Sequence, residues 1–485
     1  MASPNLRTTD SASPEDESPP PTFVSGSLLR HILVMTSTGA IGLMAIFLVD
    51  FANLFYISLL GKQELAAAIG YAGTIIFFSI SISIGIMISA IALVSKALGA
   101  GEHERAKKLS GSSLLFVLFS LIIIASTLFP FIDSVVGLLG AKGQTRAITT
   151  DFLQVVIPSM PLMGVGMCAS GLLRAVGDAK RAMYVTLGTG LFAAVLDPIF
   201  IFTLDLGIQG AAYVTVIARF VTVAVGLYGV IKIHNMVALP SFAEFTAHIR
   251  QLLGIAVPAV LTNIATPVGN AYITSAIAPY GDEAVAGWAI IGRLIPVAFG
   301  FIFALSGAIG PIIGQNYGAA KFDRVRKTVI DSLYVTLVYT LIVWLLLYLT
   351  GDYLIAAFSA TGDAALLVTF FVNIVVVSFL FNGAMFVANA AFNNLGFATY
   401  STILNWGKAT LGTIPFVWVG AQIAGSKGVI AGQGVGAVVF GVLSILVCLH
   451  VIKKVGKTPP DKTLRPPLWR SALSAFSSSK SVNIP

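Results

Sequence analysis

Asp50 stands inside the apolar run GLMAIFLVDFANLFYISLLG (Gly42–Gly61), and Asp197 stands inside LDPIFIF in a second apolar run. A lone acid at the centre of a bilayer costs at least ~2.5–3.5 kcal/mol, so it persists only where it is paired, faces water or holds a proton. Asn53 lies one helical turn from Asp50 on the same face and adds an amide. Pro198 has no N–H and leaves the carbonyl of Ala194 without its helical donor, beside Asp197. At ~1.5 Å rise per residue, Asp50 lies roughly 28 Å above His31, Asp197 about 24 Å above Arg181, and Thr215 about 12 Å below Gly207. These depths are comparable, so Asp50, Asn53, Asp197 and Thr215 can form one polar cluster. Two carboxylates close together in a low dielectric cannot both ionise cheaply, and one is expected to take up and release a proton. The same oxygens are a candidate Na+ site at Asp50, Asp197 and Thr215.

A second set of polar groups lies further along. Arg293 and Lys408 fall roughly 15 Å from the ends of their helices, and Asn373 and Asn382 are the polar residues of a long apolar segment. They are candidates for lining a substrate cleft; Arg219 is a third mid-depth cation. No catalytic constellation is visible. The GxxxxGK[ST] phosphate loop is absent, since GKT at 456–458 has Val451 where the leading glycine belongs, and no HExxH occurs. The five histidines do not cluster, no nucleophile elbow stands out, and neither an enzyme nor a resident cofactor is expected. Gly432 and Gly436 of GQGVGAVVFG predict a close-packing helix face rather than a dinucleotide loop.

The elements that position these residues follow from composition. Of 485 residues, 56% are hydrophobic and 10% charged, with mean hydropathy +0.91; a soluble domain carries about 25% charged residues. Twelve apolar stretches, from 31–60 to 428–452, are long enough to cross the hydrocarbon, and in lipid they must be helices. A shift of 219 residues aligns the halves. SKALGAGEHERAKKL (95–109) falls on GQNYGAAKFDRVRKT (314–328), Asp133 on Asp352, Gly143 on Gly362 and Gly177 on Gly396. The chain is therefore predicted to be an all-α membrane protein of twelve transmembrane helices, in two six-helix lobes related by a pseudo-two-fold axis along the membrane normal. The expected parts are a disordered tail (1–27), an N-lobe (28–235), a cytoplasmic linker (236–250), a C-lobe (251–455) and a basic C-terminal tail (456–485). Lys62, Lys142, Arg146 and Lys427 are the basic residues of the loops on one side; nearly all others fall on the side of the termini, which predicts cytoplasmic termini in an inner membrane. That asymmetry accounts for the net charge of +8 without a nucleic-acid partner. Cys168 and Cys448 fall inside apolar helices and are expected to be reduced packing residues.

These residues resemble the multidrug and toxic compound extrusion (MATE) family, in its bacterial and archaeal branch with an acid in the first helix. The resemblance covers roughly 30–455 and rests on LVDFANLFYISLLG, GAGEHERA, GLLRAVGDAK, LDPIFIF and GRLIPVAFGFIFALSGAIGPIIGQNYGA. It implies a monomeric antiporter exporting organic, mostly cationic or lipophilic compounds in exchange for H+ or Na+, with Asp50, Asp197 and Thr215 in the coupling site. The pattern departs at Ala193, where an asparagine is common; losing that oxygen weakens a Na+ site more than a proton site. A lipid-linked precursor flippase of the same wider superfamily is the alternative, against which the sparse charge and twelve helices argue.

Overall fold

In a computed structural model, residues 21–58 and 63–457 are described. The chain is helical almost throughout: α1 (Leu28–Ser58), α2 (Gln63–Gly99), α3 (His103–Leu138), α4 (Gly143–Val176), α5 (Ala179–Thr203), α6 (Gly207–Ile233), α7 (Phe242–Tyr280), α8 (Asp282–Gly318) and α9 (Phe322–Ala357). The tenth crossing, α10 (362–395), is broken at Ile374 (φ −125°, ψ −58°). Residues 398–455 form one apolar stretch that holds two crossings, α11 (398–423) and α12 (426–455), folded back at Ala424 and at Gly425 (φ 57°). The predicted twelve crossings are present. Large apolar side chains such as Leu48, Ile123, Leu191 and Leu349 stand on the outside, as a lipid-facing surface requires.

The repeat holds in three dimensions. Gly143 and its counterpart Gly362 have φ 53° and 52°, and Gly177 and Gly396 have φ 98° and 87°. These left-handed positions, which a Cβ would strain, end or begin equivalent helices. Ser170 donates to the carbonyl of Ala182 (3.3 Å) across the α4–α5 seam, and Ser401 donates to Asn389 (3.4 Å) across the equivalent α10–α11 seam. Gly432 and Gly436 pack as anticipated: a Cβ on Gly436 would meet the carbonyl oxygen of Gly412 at 1.5 Å.

The lobes interlock. Leu28, Ile32 and Met35, at the base of α1, pack in the C-lobe core with Leu305, Ile309 and Val329. Reciprocally, Leu252, Ile255 and Ala256, at the base of α7, pack in the N-lobe core. Further along, α1 returns to its own lobe: Gly190 of α5 lies against Val49, and Gly42 against Thr186. A division at residues 28 and 251 therefore describes the chain but not its packing. The linker is also shorter than expected, because α7 already begins at Phe242, capped by Ser241 and Glu244 in a reciprocal pair.

At the end carrying both termini the lobes are pressed together. Gly99 and Gly318 sit where a Cβ would come within 2.0 Å of Gln315 and 2.1 Å of Lys96 backbone oxygens across the interface. The later halves of α2 and α8 are buried nearly all round, whereas their first halves bury one face only. The lobes thus part toward the opposite end. Contrary to the expected disordered tail, residues 22–26 form a strap across the closed end. Thr22 donates to Val176 (3.0 Å) in the N-lobe, while the Phe23 N–H donates to Gln315 Oε1 (2.9 Å) in the C-lobe. Arg324 donates to the carbonyls of Phe23 (3.0 Å), Ser25 (3.1 Å) and Gly26 (3.1 Å), and Lys321 to that of Val24 (2.9 Å). Phe23 is buried.

Candidate functional site

The N-lobe cluster forms where α1, α5 and α6 meet. Val49, Leu196, Phe200, Val214 and Ala218 pack as one small core. Along one face of α1, Val49 meets Gly190 and Tyr56 stacks edge-on with Phe202 at 6.1 Å between ring centres. Asn53, between them on that face, is therefore held at the level of Asp197. Asp197 is 1% exposed. Its Oδ1 and the Oδ1 of Asn53 are both buried without a hydrogen-bond partner among the described residues. Each of these buried acceptors calls for a donor or a cation. Thr215 donates its hydrogen to the carbonyl of Ala211 (2.9 Å), leaving only lone pairs to offer the cluster. Pro198 is followed by a widened turn over Ile199–Thr203, as the missing N–H dictates. Asp50 lies in α1 just beyond Val49; its side chain lies outside the described residues.

The four cleft candidates separate. Lys408 donates to Asn382 Oδ1, joining α11 to α10. Arg293 is exposed, two turns along α8 from Gly300, which meets Met44 of α1. Helical geometry is broken between Arg293 and Gly300, at Phe299 (φ −115°, ψ 15°). Asn373 is elsewhere: it sits at the break in α10, and its carbonyl accepts from Trp344 Nε1 (3.0 Å) on α9. The mid-depth Arg219 is satisfied within the N-lobe, donating to the carbonyl of Val156 (2.8 Å) and to Ser159 Oγ (2.7 Å). Residues not anticipated are the interlobe amide Gln315 and the amide ladder Asn389, Asn393 and Asn405 beside Lys408. The sequence signal for the ladder was asparagines spaced seven and four apart on α10 (Asn382, Asn389, Asn393), with Asn405 three residues before Lys408 on α11.

A twelve-helix, two-lobed bundle that closes at one end, with a buried acid in one lobe, is the architecture of a membrane transporter. The MatE family model matches residues 40–199 and 258–419, one match in each lobe. The chain belongs to the MatE family. It is 27% identical over 447 residues to the FAD transporter of Shewanella oneidensis, covering 90% of this chain and 98% of that one. It is 27% identical over 419 residues to the multidrug export protein MepA of Staphylococcus aureus, covering 84% and 90%. Among solved structures, a variant of the Vibrio cholerae MATE transporter VcmN superposes with TM-score 0.85 at 25% identity, over 89% of this chain and 99% of that one.

Proposed function

We propose that this transporter is a secondary active antiporter of the cytoplasmic membrane. It exports small organic, mostly cationic or lipophilic compounds in exchange for protons entering at the N-lobe cluster. The observation that carries this reading is the pair of buried, unpartnered acceptors on Asp197 and Asn53. A proton on Asp197 turns one acceptor into a donor and lets the two groups bond across the α1–α5 interface. Na+ is the alternative coupling ion. The cluster supports it less well, because a metal cation needs several oxygens and the position of Ala193 supplies none.

Membrane orientation follows from the Lys/Arg bias, which sets the closed, strapped end in the cytoplasm. The state described then opens outward, away from the cell. Each inward proton brings about 2.3 kcal/mol per 100 mV of potential to the cycle. The name of the Shewanella relative extends the cargo to be tested to an anionic dinucleotide.

The test is dye efflux from proteoliposomes under imposed proton or sodium gradients, with Asp197→Asn as the variant. Efflux that follows the proton gradient in the wild type, and is lost in a variant that elutes as a monodisperse protein, supports the reading. Undiminished gradient-driven efflux in Asp197→Asn ends it.

A further inference from the structure

Both lobes hold buried or half-buried cations, Arg174 and Arg219 in the N-lobe and Lys408 in the C-lobe, but the interior carboxylate among the described residues is Asp197 of the N-lobe. Where the N-lobe interior holds Asp197, the C-lobe interior holds Lys408. The repeat shows that this cation is an addition to the shared scaffold: at the shift of 219, Lys408 falls on Thr189, Asn382 on Met163 and Asn405 on Thr186. In the N-lobe seam Thr189 makes an ordinary hydroxyl pair with Thr222 (2.7 Å). Packing two lobes of one design therefore does not require a lysine here.

Lys408 occupies the last turn of the Ala398–Ala409 segment, just before α11 loses helical geometry at Thr410 (φ −106°, ψ −80°). That position lets the helix dipole ease the charge but does not neutralise it. One face of α11 carries Ser401, Asn405 and Lys408, and the facing side of α10 carries Asn393, Asn389 and Asn382. Asn405 Nδ2 donates to Asn389 Oδ1 (3.0 Å), and Ser401 to Asn393 Oδ1 (3.4 Å). The partner of the ammonium is a neutral amide. The described carboxylates of this lobe lie toward its two ends. Asp282, Glu283, Asp352 and Asp363 are at one side, and Glu244, Asp323 and Asp331 at the other, with Asp331 engaged by Lys327 (3.1 Å). A half-buried ammonium away from water is costly unless an opposite charge meets it. Amide ladders supply hydrogen bonds and orientation but no charge.

We propose that Lys408 and the Asn382 amide form a C-lobe subsite for an oxyanion carried by the transported compound, a carboxylate or a phosphate, while Asn405, whose Nδ2 donates to Asn389 Oδ1 (3.0 Å) and to the Ser401 carbonyl (2.7 Å), braces the seam beside them. The subsite rests on the exporter reading above and narrows its cargo. Compounds that pair an apolar or cationic body with an anionic group fit a bundle that holds Asp197 in one lobe and Lys408 in the other. Asn382 Oδ1 holds the ammonium in place until the anion arrives. The anion then accepts from the Lys408 ammonium and from the Asn382 amide N–H, two charge-assisted bonds where the amide oxygen accepted one.

Binding to the purified full chain, followed by ligand fluorescence, tests this without any gradient. Flavin mononucleotide and riboflavin share a ring system and differ by one phosphate; dansylglycine and dansylglycinamide differ by one carboxylate. Wild type is expected to prefer the anionic member of at least one pair by roughly tenfold, the scale of a charge-assisted hydrogen bond. The pair that shows the preference names the oxyanion. Lys408→Met should abolish the preference and Lys408→Arg should keep it. Equal binding of both members of both pairs by the wild type overturns the proposal, as does an undiminished preference in Lys408→Met. Because no ion gradient enters the measurement, failure of proton coupling in Asp197→Asn and failure of this subsite are separate results.

Discussion

Gln315 is the residue through which the closed end is most directly testable. It is 1% exposed. Its Oε1 accepts from the Phe23 N–H (2.9 Å) and its Nε2 donates to the Ala175 carbonyl (2.8 Å), so one side chain holds the strap and the opposite lobe at once. Gln315→Ala leaves two buried backbone groups unpaired. Each such group costs ~1–3 kcal/mol, giving roughly 2–6 kcal/mol, with the lower figure applying where water can enter the space. The whole cost falls on the closed form, because separation of the lobes hydrates both groups. Two kcal/mol alone moves the ratio of closed to opened molecules about thirtyfold, at ~1.4 kcal/mol per factor of ten. Spin labels on cysteines replacing the exposed Lys180 and Arg326, one in each lobe, report that ratio as a distance distribution by pulsed electron resonance. The native Cys168 and Cys448 are buried and out of reach of the label. Gln315→Ala should shift the distribution to longer distances. Gln315→Glu, which keeps the acceptor and loses the donor, should lie between. Distributions identical to the wild type in a monodisperse Gln315→Ala protein would refute the assignment of the strap and Gln315 as a latch.

Two further outcomes concern the scaffold. Gly436→Ala forces a Cβ against the backbone oxygen of Gly412 at 1.5 Å and should cost about 3 kcal/mol, whereas Gly70→Ala, with open space around it, should be neutral; thermal melts of the two in detergent decide. Asp178 caps α5 by accepting from the Arg181 N–H (3.0 Å) and also holds His234 (2.8 Å). Burial pushes its carboxyl up, but the bonds from Arg181 and His234 more than reverse this and hold it below the usual range. A depressed carboxylate contributes stability above its unfolded value, about 3.9, and loses it as pH falls through the folded value. The melting temperatures of wild type and Asp178→Asn should differ at neutral pH and converge below about pH 4.

What the sequence disclosed was set by local rules. Helix count, the repeat and the orientation bias rest on apolar length, spacing and Lys/Arg placement, which a bilayer reads one segment at a time. The level shared by Asp50, Asp197 and Thr215 followed from a fixed rise per residue, with Asn53 one turn from Asp50; in the structure Asn53 and Asp197 each bury an unpartnered Oδ1, and the Asp50 side chain lies outside the described residues. The strap was not legible. Thr22 to Gly26 look like polar tail, and their partners Gln315, Arg324 and Val176 stand roughly 150 to 300 residues away. The grouping of the cleft residues was half legible for the same reason. Lys408 and Asn382 meet across a helix seam, while Asn373 is turned toward Trp344 by the break at Ile374, which no local pattern announced.

The exchanged helix bases tie the Asp197 cluster to the closed end. The foot of α1 lies in the C-lobe core, with Leu28, Ile32 and Met35, and its upper part lies on α5 beside Asp197. A change in how α1 packs on α5 therefore cannot stay within the N-lobe; it pulls on the contact that keeps the lobes shut. The point where α1 crosses from one lobe to the other is Gly39, against Ala304. In α7 the crossing falls just after Ala256, at Pro258, whose carbonyl accepts from Thr262 and Thr402 (2.8 Å each). Gly39 and Pro258 are equivalent under the shift of 219. Both are residues at which a helix bends at low cost, one by backbone freedom and one by a missing N–H. The scaffold thus places one residue of low bending cost in each crossing helix at equivalent positions, and only one of the two helices carries an acid above it. On the proposed proton exchange, one protonation beside α1 would act on both lobes through these two equivalent bending points.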